Sequence, residues 1–593
     1  MKNRNPLTLR AGSVQQPYSS ALLRAAEDKF IKRLFGADAT VFGKTGEALK
    51  SIENRLGWLH IASDMKPRLA ELDSFASSVI DGGIRHALVL GMGGSSLAPE
   101  MFSRMFGPRS GLESLRIMDT TDPAAIRSML DTIDVSQTLF IIASKSGKTI
   151  ETMSHARFFF DLVSKANVPN PGSRFVAITD EGSDLEKFAL DRKFRRVFLN
   201  PADIGGRYSA LSYFGLLPAA FSGANLTEIV DRAIDAEKAC AVENNDDNSA
   251  FQLGALWAVA AERGIDKLTI IASDSLRPLV PWIEQLVAES TGKEGNGVIP
   301  IESEPLGAPG EYGTDRMFMF LSLAGELSAQ FTDLESAIRE SETPSVSITF
   351  KSLSDIGFEL FRQEAATATA GYVMGINPFD EPNVSESKEN TAKILANFEE
   401  SGSFPHPKII TAWDGLEVTE LGDAAHYDEN ELDSPARTLK RFATGLRKGS
   451  YVAILNYFGQ TEETERALEN LRRTIRNKFG IATLRGYGPR FLHSIGQLYK
   501  GGPAIGHFIV LTHSDQEQIK IPEAKYSFNQ LIAAQSIGDT ESLVKRNLPT
   551  LMINCATDPA SDISTLASQI DKCFKNLHDS SMQAVEKRQK AFS

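Results

Sequence analysis

Short apolar runs that end in glycine or serine, each followed by a helical stretch, recur along this chain and constrain its fold more than any other feature. HALVLG (86–91) leads into SLAPEMFSRMF, LRIMDTT (115–121) into PAAIRSMLDTI, and TLFIIASKSG (138–147) into TIETMSHARFFFDLVSKA. RFVAITDEG (174–182) and RRVFLN (195–200) continue the series. Strand-length runs alternating with helices predict a parallel sheet covered on both faces. A second set holds KLTIIASD (267–274), VIPIESE (298–304) and SVSITF (345–350). A third opens after the PHP turn at 405–407 and contains KIITAW, YVAILNYF and GHFIVLT. A chain of 593 residues is too long for one core. The expected fold is α/β, with two doubly wound parallel-sheet domains of flavodoxin-like or Rossmann-like type at 61–225 and 226–404. A helical N-terminal segment at 1–60 precedes them, and an additional C-terminal α/β region at 405–593 follows.

Charge and composition narrow the function. A net charge of −13 repels a phosphate backbone, so nucleic acid is not an expected partner. A small anion remains possible wherever a few cations gather. Three cysteines without CxxC spacing suit a reducing cytosol. The nine histidines show neither HxxxH nor HExxH spacing, so no metal is expected. No run of about 18 apolar residues occurs, and the first residues lack the apolar core of a signal peptide. The expectation is a cytoplasmic enzyme with no membrane association.

Two strand-to-helix loops carry the chemistry. SKSGKTIET (144–152) contains the GKT of a nucleotide-binding P-loop, but the first P-loop glycine is replaced by Ile142. A nucleotide-dependent enzyme therefore has little support. Ser144, Lys145, Ser146, Lys148 and Thr149 still sit where a helix begins, and free amides with partial positive charge suit a phosphate dianion. A plain helix cap would need one such hydroxyl, not this concentration of them. GMGGSSLAPE (91–100) has the same placement, with Gly93, Gly94, Ser95 and Ser96 at the turn. A dinucleotide-binding GxGxxG, with Asp119 in the ribose position, competes here, but Ser96 replaces its third glycine. One phosphate shared between the two loops accounts better for both.

These loops, together with GGRYSALSYFGLLP (205–218), LVAESTGKEGNG (286–297), GINPFDEPNVSESK (375–388) and FLHSIGQLYKGG (491–502), resemble the glucose-6-phosphate isomerase (phosphoglucose isomerase) family. The resemblance spans roughly residues 50–500 and is strongest to the isomerase half of bifunctional transaldolase–isomerase fusions, although no transaldolase barrel fits before residue 60. It implies two sugar-isomerase domains, a sugar-phosphate substrate, no metal or organic cofactor, and a homodimer. Glu289 would be the base that moves a proton between C2 and C1, a task for a carboxylate lifted towards neutrality by burial. Arg207 would stabilise the enediolate, while His493 and Lys388 would open the sugar ring. Ser95, Ser144, Lys145, Ser146 and Thr149 would hold the phosphate, with Gly93 and Gly94 in the substrate loop. By themselves, Glu289 reads as a surface glutamate, Arg207 as an intradomain ion pair, His493 as a structural histidine and Lys388 as a solvent-facing lysine.

Two departures stand out. The histidine motif follows the NPFD motif here, whereas the family has the reverse order, and Arg316 occupies the stretch where some relatives carry that histidine. Glu381 stands where relatives commonly have a phosphate-binding glutamine; a carboxylate there is expected to point elsewhere or to reach a hydroxyl through water. Activity on mannose 6-phosphate as well, or a non-catalytic sugar-phosphate sensor, are the alternatives; a sensor has no use for a proton shuttle.

Overall fold

The computed structural model of the chain describes residues 6–244, 247–404, 408–420, 434–513 and 517–574. The PHP turn at 405–407 lies outside the described residues. Strand β1 (Leu7–Arg10) comes first, followed by β2 (His86–Gly91), β3 (Ser114–Met118), β4 (Thr138–Ala143), β5 (Phe175–Thr179) and β6 (Arg196–Leu199). Next come β7 (Lys267–Ala272), β8 (Ile299–Ile301), β9 (Arg316–Leu323) and β10 (Ser345–Phe350). The last six are β11 (Lys408–Trp413), β12 (Leu416–Glu420), β13 (Tyr451–Tyr457), β14 (Ala482–Tyr487), β15 (Gly506–Thr512) and β16 (Thr550–Cys555).

They form three sheets, mostly parallel, in a mixed α/β fold. The first runs β3-β2-β4-β5-β6 and is wholly parallel. Its order reverses between β2 and β4, and ligands of open α/β sheets bind outside the strand ends at such a switch point. In the register, Gly91 lies beside Ala143, so the glycine-serine loop and the SKSGKT loop emerge side by side. The second sheet, β1-β10-β9-β7-β8, repeats the pattern with β1 antiparallel on β10. The third, β11-β12-β16-β15-β13-β14, repeats it again in β13–β16, with β12 antiparallel on β16 and β11 antiparallel on β12 at the edge.

Alternation decides which face of each strand goes where. Val89, Ile141 and Val176 join one core with Leu268, Met319 and Ile348 of the second sheet and Trp58 of the N-terminal stretch. Leu88, Leu90, Phe140 and Ile142 point the other way, into a core completed by Phe528, Leu531 and Ile537 from the helix Phe528–Val544 of the third region. Fully burying a side chain of this size contributes about 1.5–3 kcal/mol, so the third region is built onto the first sheet rather than appended to it. Tyr451, Ala453 and Leu455 of β13 likewise pack with Ile299 and Ile301 of β8.

The N-terminal stretch is not helical throughout. Helices occur at Gln15–Glu27, Phe30–Phe35 and Gly46–Glu53, but LTLR at 7–10 is a strand. Leu7 and Leu9 are half-buried and alternate with exposed Thr8 and Arg10, so four residues suffice to cover the open edge of β10. VIPIESE is a strand only over Ile299–Ile301; the chain then turns and sends Glu302 and Glu304 to arginines of the neighbouring elements. Among the described residues no helix is long and apolar enough to cross a membrane.

Candidate active site

The loop after β4 leads into the helix Ile150–Lys165, with Thr149 at its N-cap but not capping through its side chain. The hydroxyls bond among themselves instead. Ser144 Oγ accepts from the Gly147 amide at 3.1 Å and lies 3.3 Å from Thr149 Oγ1, while Ser146 Oγ accepts from the Lys148 amide. Lys145 turns back along the sheet. Its ammonium meets Asp180 at 2.8 Å and donates to the carbonyls of Ala202 and Ile204 at 2.6 and 3.1 Å, tying this loop to the segment that leads to Arg207. Burial pushes the Asp180 carboxyl up, with Lys145 pulling the other way.

The glycine-serine loop serves close approach. Gly93 has φ 55°, and a Cβ there would lie 2.5 Å from the His493 carbonyl oxygen. A Cβ on Gly94 would lie 1.9 Å from the carbonyl oxygen of Gly206, next to Arg207. Both glycines are required by backbones that arrive from other parts of the chain. Ser95 is half-buried beside them, and Ser96 Oγ donates to the Gly93 carbonyl at 3.1 Å.

Arg207 sits in a short 3-10 turn, buried, with nearly every N–H engaged. Nε donates to Ser290 Oγ at 2.8 Å, and Nη2 to the carbonyls of Pro378 and Asp380, both at 2.9 Å. Nη1 lies 3.3 Å from Glu289 Oε1 and 3.1 Å from Glu381 Oε2. Burial works against the guanidinium, but the two carboxylates outweigh it and hold its pKa above the usual value. Glu381 therefore points to Arg207, which satisfies its charge.

Glu289 lies in the last turn of the helix Val280–Thr291, its side chain 12 % exposed. Burial pushes its carboxyl above the ordinary range, Arg207 pulls it down and Glu381 pushes it up again. The negative end of the helix acts in the raising direction too. One turn earlier, the Gln285 amide donates to Glu289 Oε2 at 3.1 Å and to the His493 carbonyl at 2.9 Å, joining the carboxylate to the histidine turn.

His493 closes the 3-10 turn Arg490–His493 after β14. Its Nε2 lies 3.1 Å from Oε1 of Glu151, which stands in the first turn of the helix after the SKSGKT loop. Burial drives the Glu151 carboxyl up, but the pull of His493, aided by Lys388, leaves it lowered and ionised. Lys388 is exposed on the helix Val384–Ser401. Arg490 anchors the turn through Glu100 and, at 3.4 Å, Asp119. Arg316 is buried at an ion pair with Glu304 and donates to Thr269 Oγ1, so it belongs to a different network.

Glu289, Arg207 and His493 thus come together, whereas Lys388 stays exposed and reaches the cluster only through its weak pull on Glu151. Sequence reasoning left out Glu151, Gln285, Ser290 and the carbonyls of residues 378 and 380. Glu151 lies inside the SKSGKTIET stretch, and Gln285 precedes Glu289 by the four residues that share a helix face. Among the described residues, no group of three or more His, Cys, Asp or Glu side chains is placed to hold a metal ion.

Residues 61–324 match the family model described as phosphoglucose isomerase. A probable glucose-6-phosphate isomerase of Methanococcus maripaludis is 26% identical over 384 residues, covering 58% of this chain and 85% of that protein. A glucose-6-phosphate isomerase of Carboxydothermus hydrogenoformans is 27% identical over 413 residues, covering 59% and 88%. In fold, the chain is similar to a hypothetical protein of Thermus thermophilus, with a TM-score of 0.55 at 23% identity over 66% of this chain and all of the other. A glucose-6-phosphate isomerase of Chlamydia trachomatis gives a TM-score of 0.54 at 17% identity, over 67% of this chain and 89% of that one. The chain is an aldose–ketose isomerase. Within that class its similarity is to the glucose-6-phosphate isomerase family, whose model matches residues 61–324.

Proposed function

We propose that the chain interconverts D-glucose 6-phosphate and D-fructose 6-phosphate through ring opening and a cis-enediolate. The observation that supports it most directly is one hydrogen-bonded cluster holding a raised carboxylate, a fixed guanidinium and a carboxylate-backed imidazole. The substrate phosphate is held at the helix N-terminus by Ser144, Ser146 and Thr149 with help from Ser95, and Lys145 adds its charge at longer range. In ring opening the C1–O5 bond breaks, O5 takes a proton from His493, the C1 hydroxyl gives its proton back to the imidazole as O1 becomes the carbonyl oxygen, and the Lys388 ammonium offsets the negative charge that develops meanwhile. Glu289 then removes the proton from C2, whose electron pair forms the C1–C2 double bond and places negative charge on O1. Arg207 faces that charge without reorganising, because its other N–H groups are already fixed. The O2 hydroxyl proton passes to O1, O2 becomes the carbonyl, and Glu289 returns its proton to C1.

The test is a coupled assay for glucose 6-phosphate formed from fructose 6-phosphate, with EDTA present. Turnover is expected; its absence with the intact chain overturns the assignment. Glu289→Gln should lower kcat about 100- to 10,000-fold while leaving KM little changed. Wild-type turnover in that variant would remove Glu289 from the base role.

A further inference from the structure

The Glu151–His493 pair has a third member that comes from the far end of the chain. Gln535 lies on the helix Phe528–Val544, 1% exposed, between apolar Phe528 and Leu531 on the turns before it and buried Asp539 and Ser542 on the turns after it. Its Nε2 donates to Glu151 Oε1 at 2.8 Å, the same oxygen that His493 approaches. Its Oε1 accepts from the hydroxyl of buried Thr121, just after β3, at 2.7 Å. A leucine or methionine at this position would fill the core without desolvating an amide, so the polar group calls for an explanation.

The ionised carboxylate, which can only accept, fixes which way the amide faces, and the Thr121 hydroxyl supplies a donor to the oxygen on the other side. With Oε1 turned to Thr121, the NH2 group is presented to the carboxylate; the flipped amide would set one oxygen against another. Gln535 is thus a one-way donor to Glu151. Deep burial alone would drive Glu151 to take up a proton, and a protonated Glu151 could not balance a positive imidazole. A donor on Oε1 favours the anion and fixes the oxygen towards His493, as the outer partners of histidine–carboxylate pairs do elsewhere. The third sheet therefore grips one carboxylate of the first sheet from two sides, with the His493 turn and with Gln535.

We propose that Gln535 is a positioning residue for ring opening, braced by Thr121, that keeps Glu151 an aligned anion behind His493. This rests on the ring-opening role given to His493 above. The experiment is a double-mutant cycle on the full chain, reading kcat and KM for fructose 6-phosphate in Gln535→Leu, His493→Ala and the double variant. Gln535→Leu should lower kcat about 10- to 100-fold with KM within about threefold of wild type. In the His493→Ala background, the same substitution should change kcat by less than about twofold. Wild-type kcat in Gln535→Leu, or the same fractional loss in both backgrounds, overturns the proposal. Wild-type turnover in His493→Ala would instead remove the ring-opening role of His493, and this inference with it. If Gln535→Leu does not fold, Thr121→Val, which removes only the hydroxyl that holds the amide oxygen, takes its place in the cycle. It should lower kcat about threefold to tenfold in the wild-type background and not in His493→Ala; an equal loss in both overturns the proposal.

Discussion

Arg207 lies between two carboxylates, and the outer one tunes the inner. Burial is the main reason the Glu289 carboxyl is raised, but Glu381 adds repulsion from across the guanidinium and draws part of the arginine's charge to itself. Glutamine at this position would keep the contact to Arg207 without the charge. Glu381→Gln should then make the Glu289 anion easier to form, so its pKa falls. As the base must be ionised, the acid limb of kcat/KM moves to lower pH. The Glu381 side chain is 45% exposed, and solvent screens much of its field. The expected shift is therefore small, and towards lower pH. A pH–rate profile checks it: an acid limb that stays put or moves to higher pH would show that Glu381 has no such hold on Glu289.

At the scale of elements, the contact between the helices Ile150–Lys165 and Phe528–Val544 carries a titratable group of its own. His155, one turn beyond Glu151, is fully buried and stacks on Phe528 with ring centroids 5.3 Å apart. Burial pushes its pKa down to about 4, against a weaker pull from Glu151. Between pH 6.5 and 4 the unfolded chain therefore binds a proton that the folded chain refuses. Stability is lost as pH falls through that window, by about 3 kcal/mol in all. His155→Leu should lose less unfolding free energy between about pH 7 and pH 5 than the wild type in urea titrations; parallel losses would contradict the assignment. The same helices show how far the sequence could be read. The central strands β2, β4 and β5 of the first sheet are plain in the sequence, because every residue of each is buried and the runs are almost wholly apolar. LTLR, LEVTE and TLMINC do not stand out in the sequence: β1 and β12 are short or polar, and tertiary pairing rather than pattern makes them strands. Among site residues, Glu289, Arg207 and His493 stand in distinctive motifs. Gln535 reads as one polar residue in a helix, and only the fold brings it to Glu151 across 384 positions of chain.

At the scale of the whole molecule, three sheets share one strand order, and the third accounts for the departure in motif order. His493 follows Lys388 in the chain because it comes from the loop after β14, and that loop reaches the first two sheets without help from a second copy. Arg490 pins the turn to Glu100 and Asp119, Gln285 holds the His493 carbonyl, and Gly93 leaves room for it. A homodimer, which the resemblance implies, is therefore not needed to bring Glu289 and His493 together. Mixtures of variants put this to the test. Glu289→Gln and His493→Ala each disable a different group of the same cluster. If every chain builds its site from its own residues, each molecule in a mixture of the two variants lacks one group. Co-expressed or refolded together, they should show no more activity than the sum of the two alone. If the histidine instead crossed between copies, mixed assemblies would contain sites with both groups intact, and activity would rise well above that sum. The outcome decides whether the third sheet supplies its own chain or a neighbour's.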